Sequence, residues 1–466
     1  MDQEHRWRVH GVAAQVRQHY RRKRPFRVFH GSTNSTRILS FKRSEMVDVS
    51  NLNHVLSIDT VKRTAVVEPN VPMDQLLAHT LRYGLLPLVV TEFPGITVGG
   101  GIQGGAGESS SFKWGFLSQT INWQESVLAD GRIITSSSAA YPDLFYGSAG
   151  SLGTIGITTA VELQLMPATD YAQVTYFPVT SFKNAREVMQ RCVKSDQDFV
   201  DGIMFGADHG LIITGKLTNI KNARLRRFSR AYDPWYYIHA EKIDKAGQQV
   251  TETVPLRDYL FRYDRGAFWM GRFAFTRFGV PFNRVTRFLL DPLLHTRKLY
   301  QALQVSGVSQ EHIIQDLTLP LDTAENLMEY LDEVTSIYPL WLCPIKPEPR
   351  SPLLCNGLDT PLAINIGVWG GQMSSYEEFL RLNKLLEAKL SFLGGKKWLY
   401  AHCYYTEREF WQIYDKQWYT ELRTKYEAGD LPNVYDKVRV RERYGIHSRR
   451  SIFKTILGRA NLRLED

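Results

Sequence analysis

The sequence predicts an α+β fold in two domains, and three features predict it. Short β candidates separated by turn residues fill the chain up to Pro167 without a regular βαβ array. Beyond Pro167 a strand–helix–strand pattern occurs twice, which suggests an antiparallel sheet with helices on one face. Glycine and small hydroxyl residues crowd into two segments of the first half, 97–115 and 147–156.

Taken in order, residues 26–30 read as a strand followed by the polar turn 31–35, with short strands at 46–49, 54–59 and 64–68. Pro72 opens a helix at a favourable first-turn position, with Leu76, Leu77 and Leu81 on one side and Gly84 ending it. Residues 121–128 and 133–136 form a hairpin about Asp130-Gly131. In 157–165, Ile157, Val161, Leu163 and Leu165 share a face opposite Glu162 and Gln164, the alternation of a half-buried strand.

The second domain begins with a strand at 174–179, a helix at 184–194 and a hairpin of 199–205 with 211–217. Residues 221–305 are rich in Arg, Tyr, Phe and Trp and carry no clear periodicity. A strand at 313–319, a helix at 322–335, strands at 338–344 and 362–368, a helix at 376–392 and a strand at 398–404 follow. The boundaries expected are 1–168, 169–395, a C-terminal return at 396–440 and a basic tail at 441–466.

Composition narrows the function classes. The 466 residues are 43% hydrophobic and 23% charged, which suits a folded protein with a core and excludes general disorder. The net charge of +9 is uneven, clustering at Arg21–Arg24 and again from Lys437 to Arg450, while the middle is near balance, so no nucleic-acid groove is expected. Cys192, Cys343, Cys355 and Cys403 lie far apart, without metal or redox spacing, and indicate a reducing compartment. No secretory signal and no run of about 18 apolar residues is found, so a soluble or peripheral chain is expected.

The segment TVGGGIQGGAGESSSFKWG (97–115) is the strongest local signal. Glycines among hydroxyl residues let backbone approach a ligand, and their N–H groups satisfy phosphate oxygens. Gly99, Gly101 and Gly104 also spell a literal G-x-G-x-x-G. That motif needs a strand before it and a helix after it, whereas Pro94-Gly95 precedes it and 105–111 is a poor helix, which excludes a nicotinamide-type fold. The second segment, GSAGSLGTIG (147–156), leads directly into the alternating strand.

A small-residue turn after a strand, then TVGG, then SLGTIG entering a strand, resembles the vanillyl-alcohol-oxidase (PCMH-type) FAD-binding superfamily. The resemblance implies that FAD is held by Gly31, Ser32, Thr33, Asn34, Ser35, Thr36, Pro94, Gly95, Thr97, Val98, Gly99, Gly100, Gly104 and Gly107. It extends the set to Ser109, Ser110, Ser111, Gly115, Gly150, Gly153, Gly156 and Ile157. The first turn lacks the histidine that carries covalent flavin in some members; His30 precedes Gly31 and reads as a strand-end residue, so non-covalent FAD is implied. The sequon Asn34-Ser35-Thr36 then faces a cofactor, where a glycan has no room.

GESSSFKWG, PDLFYGSAGSLGTIG, YPLWLCPIKP and LYAHCYYTEREFWQIYD look like the Δ24-sterol reductases, and the match runs from about Pro25 to Lys437. The resemblance implies a substrate (cap) domain over the flavin, a sterol or similar isoprenoid substrate, and NADPH as reductant. It also implies the endoplasmic reticulum, on the cytosolic face, although the N-terminal anchor usual in that family has no counterpart here, so a cytoplasmic location is the alternative. An isolated alkene has no carbonyl to polarise it, so the reaction needs a proton donor above flavin N5, an apolar slot and ring faces near the developing cation. Residues 402–405 form the best donor region: His402 titrates near neutrality, with Tyr404 and Tyr405 beside it, and Cys343 as a further cavity candidate. An ordinary structural histidine and a buried inert thiol are the alternatives. The sterol reductases carry an acidic residue where His402 stands, which leaves an oxidase, a desaturase or a double-bond isomerase open, as well as a non-catalytic binding protein. In the tail, Ile452, Phe453, Ile456, Leu457, Leu462 and Leu464 alternate with basic residues, as in a membrane-surface segment or a packed terminal helix.

Overall fold

The computed structural model describes residues 2–221, 224–440, 443 and 463–465. The first mixed domain holds a sheet of six strands: β1 (Val55–Asp59), β2 (Thr64–Val67), β3 (Leu85–Pro87), β4 (Ile121–Leu128), β5 (Ile133–Ser137) and β6 (Gly156–Pro167). Their order is β1-β2-β6-β4-β5, with β3 also on β6. The long alternating strand β6 is central because Val161, Leu163 and Leu165 are buried against the helix Met73–Leu81, whose Leu76 and Leu77 close the same core.

The chain changes sheet between Pro167 and Tyr171. The second sheet is antiparallel: β7 (Tyr171–Val179), β8 (Phe199–Met204), β9 (Gly210–Thr218), β10 (Val250–Pro255), β11 (His312–Pro320), β12 (Leu340–Ile345), β13 (Ala363–Gln372) and β14 (Lys396–Lys397). They run in the order β10-β7-β9-β8-β12-β13-β11-β14. The helices Phe182–Lys194, Ala324–Val334 and Tyr376–Phe392 bury Val188, Leu327 and Leu386 on one face with Leu317, Leu342 and Ile366 of the strands. The other face is left for the first domain and for the aromatic segment 221–305.

Two expectations change, and a third falls largely outside the described residues. Residues 398–404 are not a strand: after Lys397 the chain leaves the sheet, because Trp398 Nε1 donates to the Gly105 carbonyl of the first domain and the Lys397 ammonium binds Glu387 and the His402 carbonyl. The glycine-rich stretch 98–104 is a short helix, Val98–Gly104, capped by Thr97 Oγ1 on Gly100 N at 3.2 Å. Its Val98 and Ile102 are fully buried, so core contact overrides poor propensity. In the tail, 444–462 lies outside the described residues, and Arg463–Glu465 pairs in parallel with Ser40–Lys42.

An N-terminal helix, Gln3–Arg21, carries Val9, Val12, Ala13 and Val16 at helical spacing into a small core with Val47, Val127 and Ala129. His5 is fully buried, with Nδ1 at 2.8 Å from Glu68 and Nε2 at 3.0 Å from Glu125. Burial opposes the imidazolium, but the bonds to Glu125 and Glu68 outweigh it and hold the pKa up near 9. Because the folded value is raised, the stabilisation is complete below the ordinary 6.5 and is lost as pH rises through about 9. We expect the urea midpoint of the protein to fall across that alkaline window, and His5→Gln to flatten the fall.

Candidate functional site

The two sheets face one another across a cavity of about 720 Å³. The first domain supplies a wall of turns: Ser32, Thr33, Asn34, Ser35 and Thr36 from the turn after Arg27–Phe29, the Gly95–Gly107 stretch, and Gly153, Gly156 and Ile157 at the start of β6. The second supplies Ile314 and Asp316 of β11, Trp341 of β12 and Trp369 of β13, with Phe268, Tyr300, Trp398 and Tyr400 closing the space. The three separated small-residue turns thus meet at one site.

Fourteen of the residues assigned to the cofactor line this cavity: Ser32 to Thr36, Gly95, Thr97, Gly99, Gly100, Gly104, Gly107, Gly153, Gly156 and Ile157. A Cβ on Gly104 would meet nothing within 4 Å, so at that position the wall is bare backbone facing open space. Three buried polar atoms of cavity-lining residues, Asn34 Nδ2, Thr91 Oγ1 and His30 Nδ1, have no partner among the described residues. Buried polar atoms are nearly always satisfied, so this wall is built for a polar ligand. The cations Arg27, Arg37 and Lys437 line it as well, and burial, then the charges of Arg27 and Arg37, push the Lys437 ammonium down to about 7. A bound diphosphate would relieve that repulsion. Bare backbone, orphaned polar atoms and clustered cations beside indole rings fit FAD.

Eight assigned residues stand behind the wall instead. Gly31, Gly115 and Gly150 make the turns at φ 80°, 75° and 76°, and fully buried Val98 anchors the short helix. The Pro94 carbonyl accepts from Asp74 N and Arg297. Ser109, Ser110 and Ser111 are occupied by a buried carboxyl: the Ser109 and Ser110 hydroxyls donate to Glu108, and Glu108 N donates to Ser111 Oγ at 2.8 Å. Small hydroxyl residues serve a ligand or a buried acid equally well, and only the fold separates the two.

The residues singled out as proton donors do not line the cavity. His402 is buried, and burial, then Arg37 and Lys397, pull its pKa down to about 3, so it is neutral at working pH. Tyr404 packs among the helices behind the second sheet. Its amide donates to Glu387, and Tyr405 Oη donates to the Glu387 carbonyl at 3.0 Å. These residues wrap the chain around the buried Lys397–Glu387 pair. Cys343 sits on β12, buried, with its thiol pushed well above the ordinary range by burial.

Among the acids that line the cavity, Asp316 stands beside the indole rings; composition and spacing did not single it out, because it is a lone carboxyl between Gln315 and Leu317 on a strand. Its Oδ2 accepts from Tyr400 Oη and its Oδ1 from Asn365 Nδ2, each at 2.6 Å. Burial pushes its pKa up to about 6 in spite of those bonds. Directly opposite on β13 is Gly367, where a Cβ would meet the Trp369 ring at 2.8 Å and Asp316 Oδ1 at 3.1 Å. The missing side chain makes room for acid and indole together. Around them Phe268 lies 4.4 Å from Trp369, and Trp341 stacks on Trp369 at 5.7 Å between centroids. A carboxyl able to hold a proton therefore stands among ring faces that favour positive charge. Two further buried carboxyls, Glu92 in the wall and Glu108 behind it, also have raised pKa values, Glu92 through burial and then the Glu108 charge, and Glu108 through burial.

Comparison with known proteins agrees with this geometry. A family model described as an FAD binding domain matches residues 9–137. The chain is similar to the Delta(24)-sterol reductase of Homo sapiens, with 31% identity over 417 residues, 87% of this chain and 80% of that protein. It is similar to the Delta(24)-sterol reductase of Arabidopsis thaliana at 29% over 445 residues, covering 86% and 78% respectively. Cytokinin dehydrogenase 9 of Oryza sativa subsp. japonica shares 31% over only 132 residues, 28% of this chain.

Proposed function

From the premise that this chain belongs to the Δ24-sterol reductase family, on the PCMH-type FAD-binding fold, we propose that it is an FAD-dependent reductase of the side-chain double bond of a sterol or similar isoprenoid lipid. The observation that carries the chemistry is Asp316, a carboxyl held near pKa 6 among Trp341, Trp369 and Phe268. The turns Ser32–Thr36, Thr97–Gly107 and Gly153–Ile157 would hold FAD without a covalent bond, and Arg27, Arg37 and Lys437 are the cations of the cavity that would balance its phosphate charge. When bound and reduced by NADPH, FAD would supply the hydride. Asp316 supplies the proton, to the less substituted alkene carbon, and the tertiary cation so formed faces the indole rings until hydride reaches it. One π bond is thus replaced by two C–H bonds, and Tyr400 hydrogen-bonds the carboxylate left behind. Operation at the cytosolic face of the endoplasmic reticulum belongs to the same proposal.

The test is anaerobic. NADPH should bleach the bound flavin, and a Δ24-unsaturated sterol should restore its colour with formation of the saturated side chain. Flavin reoxidised rapidly by air, and not by the sterol, would point to an oxidase instead. Gly104→Leu would project a side chain into the open wall. We expect that variant to purify without visible flavin absorption while keeping its far-ultraviolet dichroism.

A further inference from the structure

The segment 271–290 forms two helices, Gly271–Phe278 and Arg284–Leu290, joined by a turn at Gly279 with φ 68°. The first belongs to the cavity: Phe273, Ala274 and Phe278 line it, and Thr276, exposed to solvent, lines it too, so the cavity reaches the surface there. The second buries no residue at all. On it Val285 is 66%, Phe288 48% and Leu289 67% exposed, at i, i+3 and i+4 spacing on one face. Few large hydrophobic side chains of the described residues stand so far out, and nowhere else among them do three share one turn of helix. The helix is nonetheless fixed, because Asn283 caps it through Val285 N and Thr286 N at 2.9 and 3.1 Å.

Charge says what covers this face. Between Gly271 and Leu290 there are four arginines, Arg272, Arg277, Arg284 and Arg287, and no acidic residue. Arg277 is taken by Glu311, whereas Arg272 and Arg287 lie over Phe282 at 5.7 and 4.9 Å and make no ion pair among the described residues. An apolar ridge rimmed by cations is the complement of an anionic bilayer, whose headgroups meet the arginines while its acyl region takes the ridge.

We propose that Val285, Phe288 and Leu289, rimmed by Arg272, Arg284 and Arg287, dock the protein onto an anionic lipid membrane beside the mouth of the cavity. A lipid substrate then passes from bilayer to cavity without crossing water; this last clause rests on the lipid-reductase reading above, while the docking itself does not.

The test uses the full-length flavin-loaded protein and sedimentation with vesicles of phosphatidylcholine containing about a third phosphatidylserine. The wild type should sediment with them, more weakly with phosphatidylcholine alone and more weakly at high salt. Val285→Ser/Phe288→Ser/Leu289→Ser should weaken binding at least about tenfold, and Arg284→Gln/Arg287→Gln should remove the preference for phosphatidylserine. The triple variant should keep its flavin and its turnover of sterol delivered on cyclodextrin, and lose turnover of sterol presented in vesicles. A triple variant that sediments like the wild type would overturn the proposal and give the contact to another surface. So would a wild type that ignores vesicles but forms a dimer that the triple variant abolishes. Vesicle binding lost as expected, with no sterol reduced by any form, would leave the docking intact and refute the substrate reading.

Discussion

Asp316→Asn is expected to lower turnover of a Δ24-unsaturated sterol by about 10²–10⁴-fold, the range for loss of a positioned general acid. Asparagine keeps the shape and still accepts from Tyr400 or Asn365, so the fold and the flavin spectrum should survive. What it lacks is a proton to give. The pH profile supplies the sharper test. Burial raises the Asp316 pKa to about 6, so the donor form dominates below that value and is lost as pH rises through it. Turnover limited by proton transfer should fall along the same limb in the wild type and lose it in Asp316→Asn. His402→Ala should leave the limb in place, because a histidine held near 3 carries no proton in that range. A limb that follows His402, or an Asp316→Asn enzyme of ordinary rate, would place the donor elsewhere, with Glu92 as the next carboxyl in the wall.

Lys397→Met should destabilise the protein by about 3–5 kcal/mol, the scale for breaking a buried ion pair from one side. Lys397 Nζ and Glu387 Oε1 are 2.6 Å apart with side chains 0% and 1% exposed. Glu387 also accepts from the Tyr404 amide. Burial pushes its pKa up despite the lysine, and without that lysine it must either protonate or carry an unpaired charge in the core. The second change Glu387→Leu should recover part of the loss, since the unpaired charge is gone while the buried Tyr404 amide is left without its acceptor. Urea unfolding of the single and double variants measures both. A mild effect of Lys397→Met would mean that the pair is wetter than its burial indicates. The pair matters to function at one remove, because Trp398 and Tyr400 leave for the cavity from this anchor.

The regular elements were legible where burial has a period. The strand Gly156–Pro167 announces itself by alternation and the helix Tyr376–Phe392 by spacing; the latter has the very bounds that its sequence pattern gives. Legibility failed where tertiary contact overrides local preference. Val98–Gly104 is helical in spite of its glycines because Gly99 lies against Pro69, where a Cβ would come within 2.5 Å, and because Ile102 is driven into the core. Residues 398–404 look like a strand by composition but are drawn off the sheet by Trp398 and Lys397. The aromatic stretch 221–305 has no period because Trp235, Tyr236, Tyr259 and Tyr263 are buried from several directions at once.

By itself the sequence determined the α+β class, the three small-residue turns and the family, since each of these is written in contiguous residues. Only the tertiary structure decided which side chains line the cavity and which acid stands among its rings. Asp316, Trp341 and the pair Asn365 and Trp369 come from three strands, and Tyr400 from a return segment. Their hydrogen bonds and ring contacts exist only when antiparallel pairing sets Asp316 opposite Gly367 and burial then raises the carboxyl's affinity for its proton.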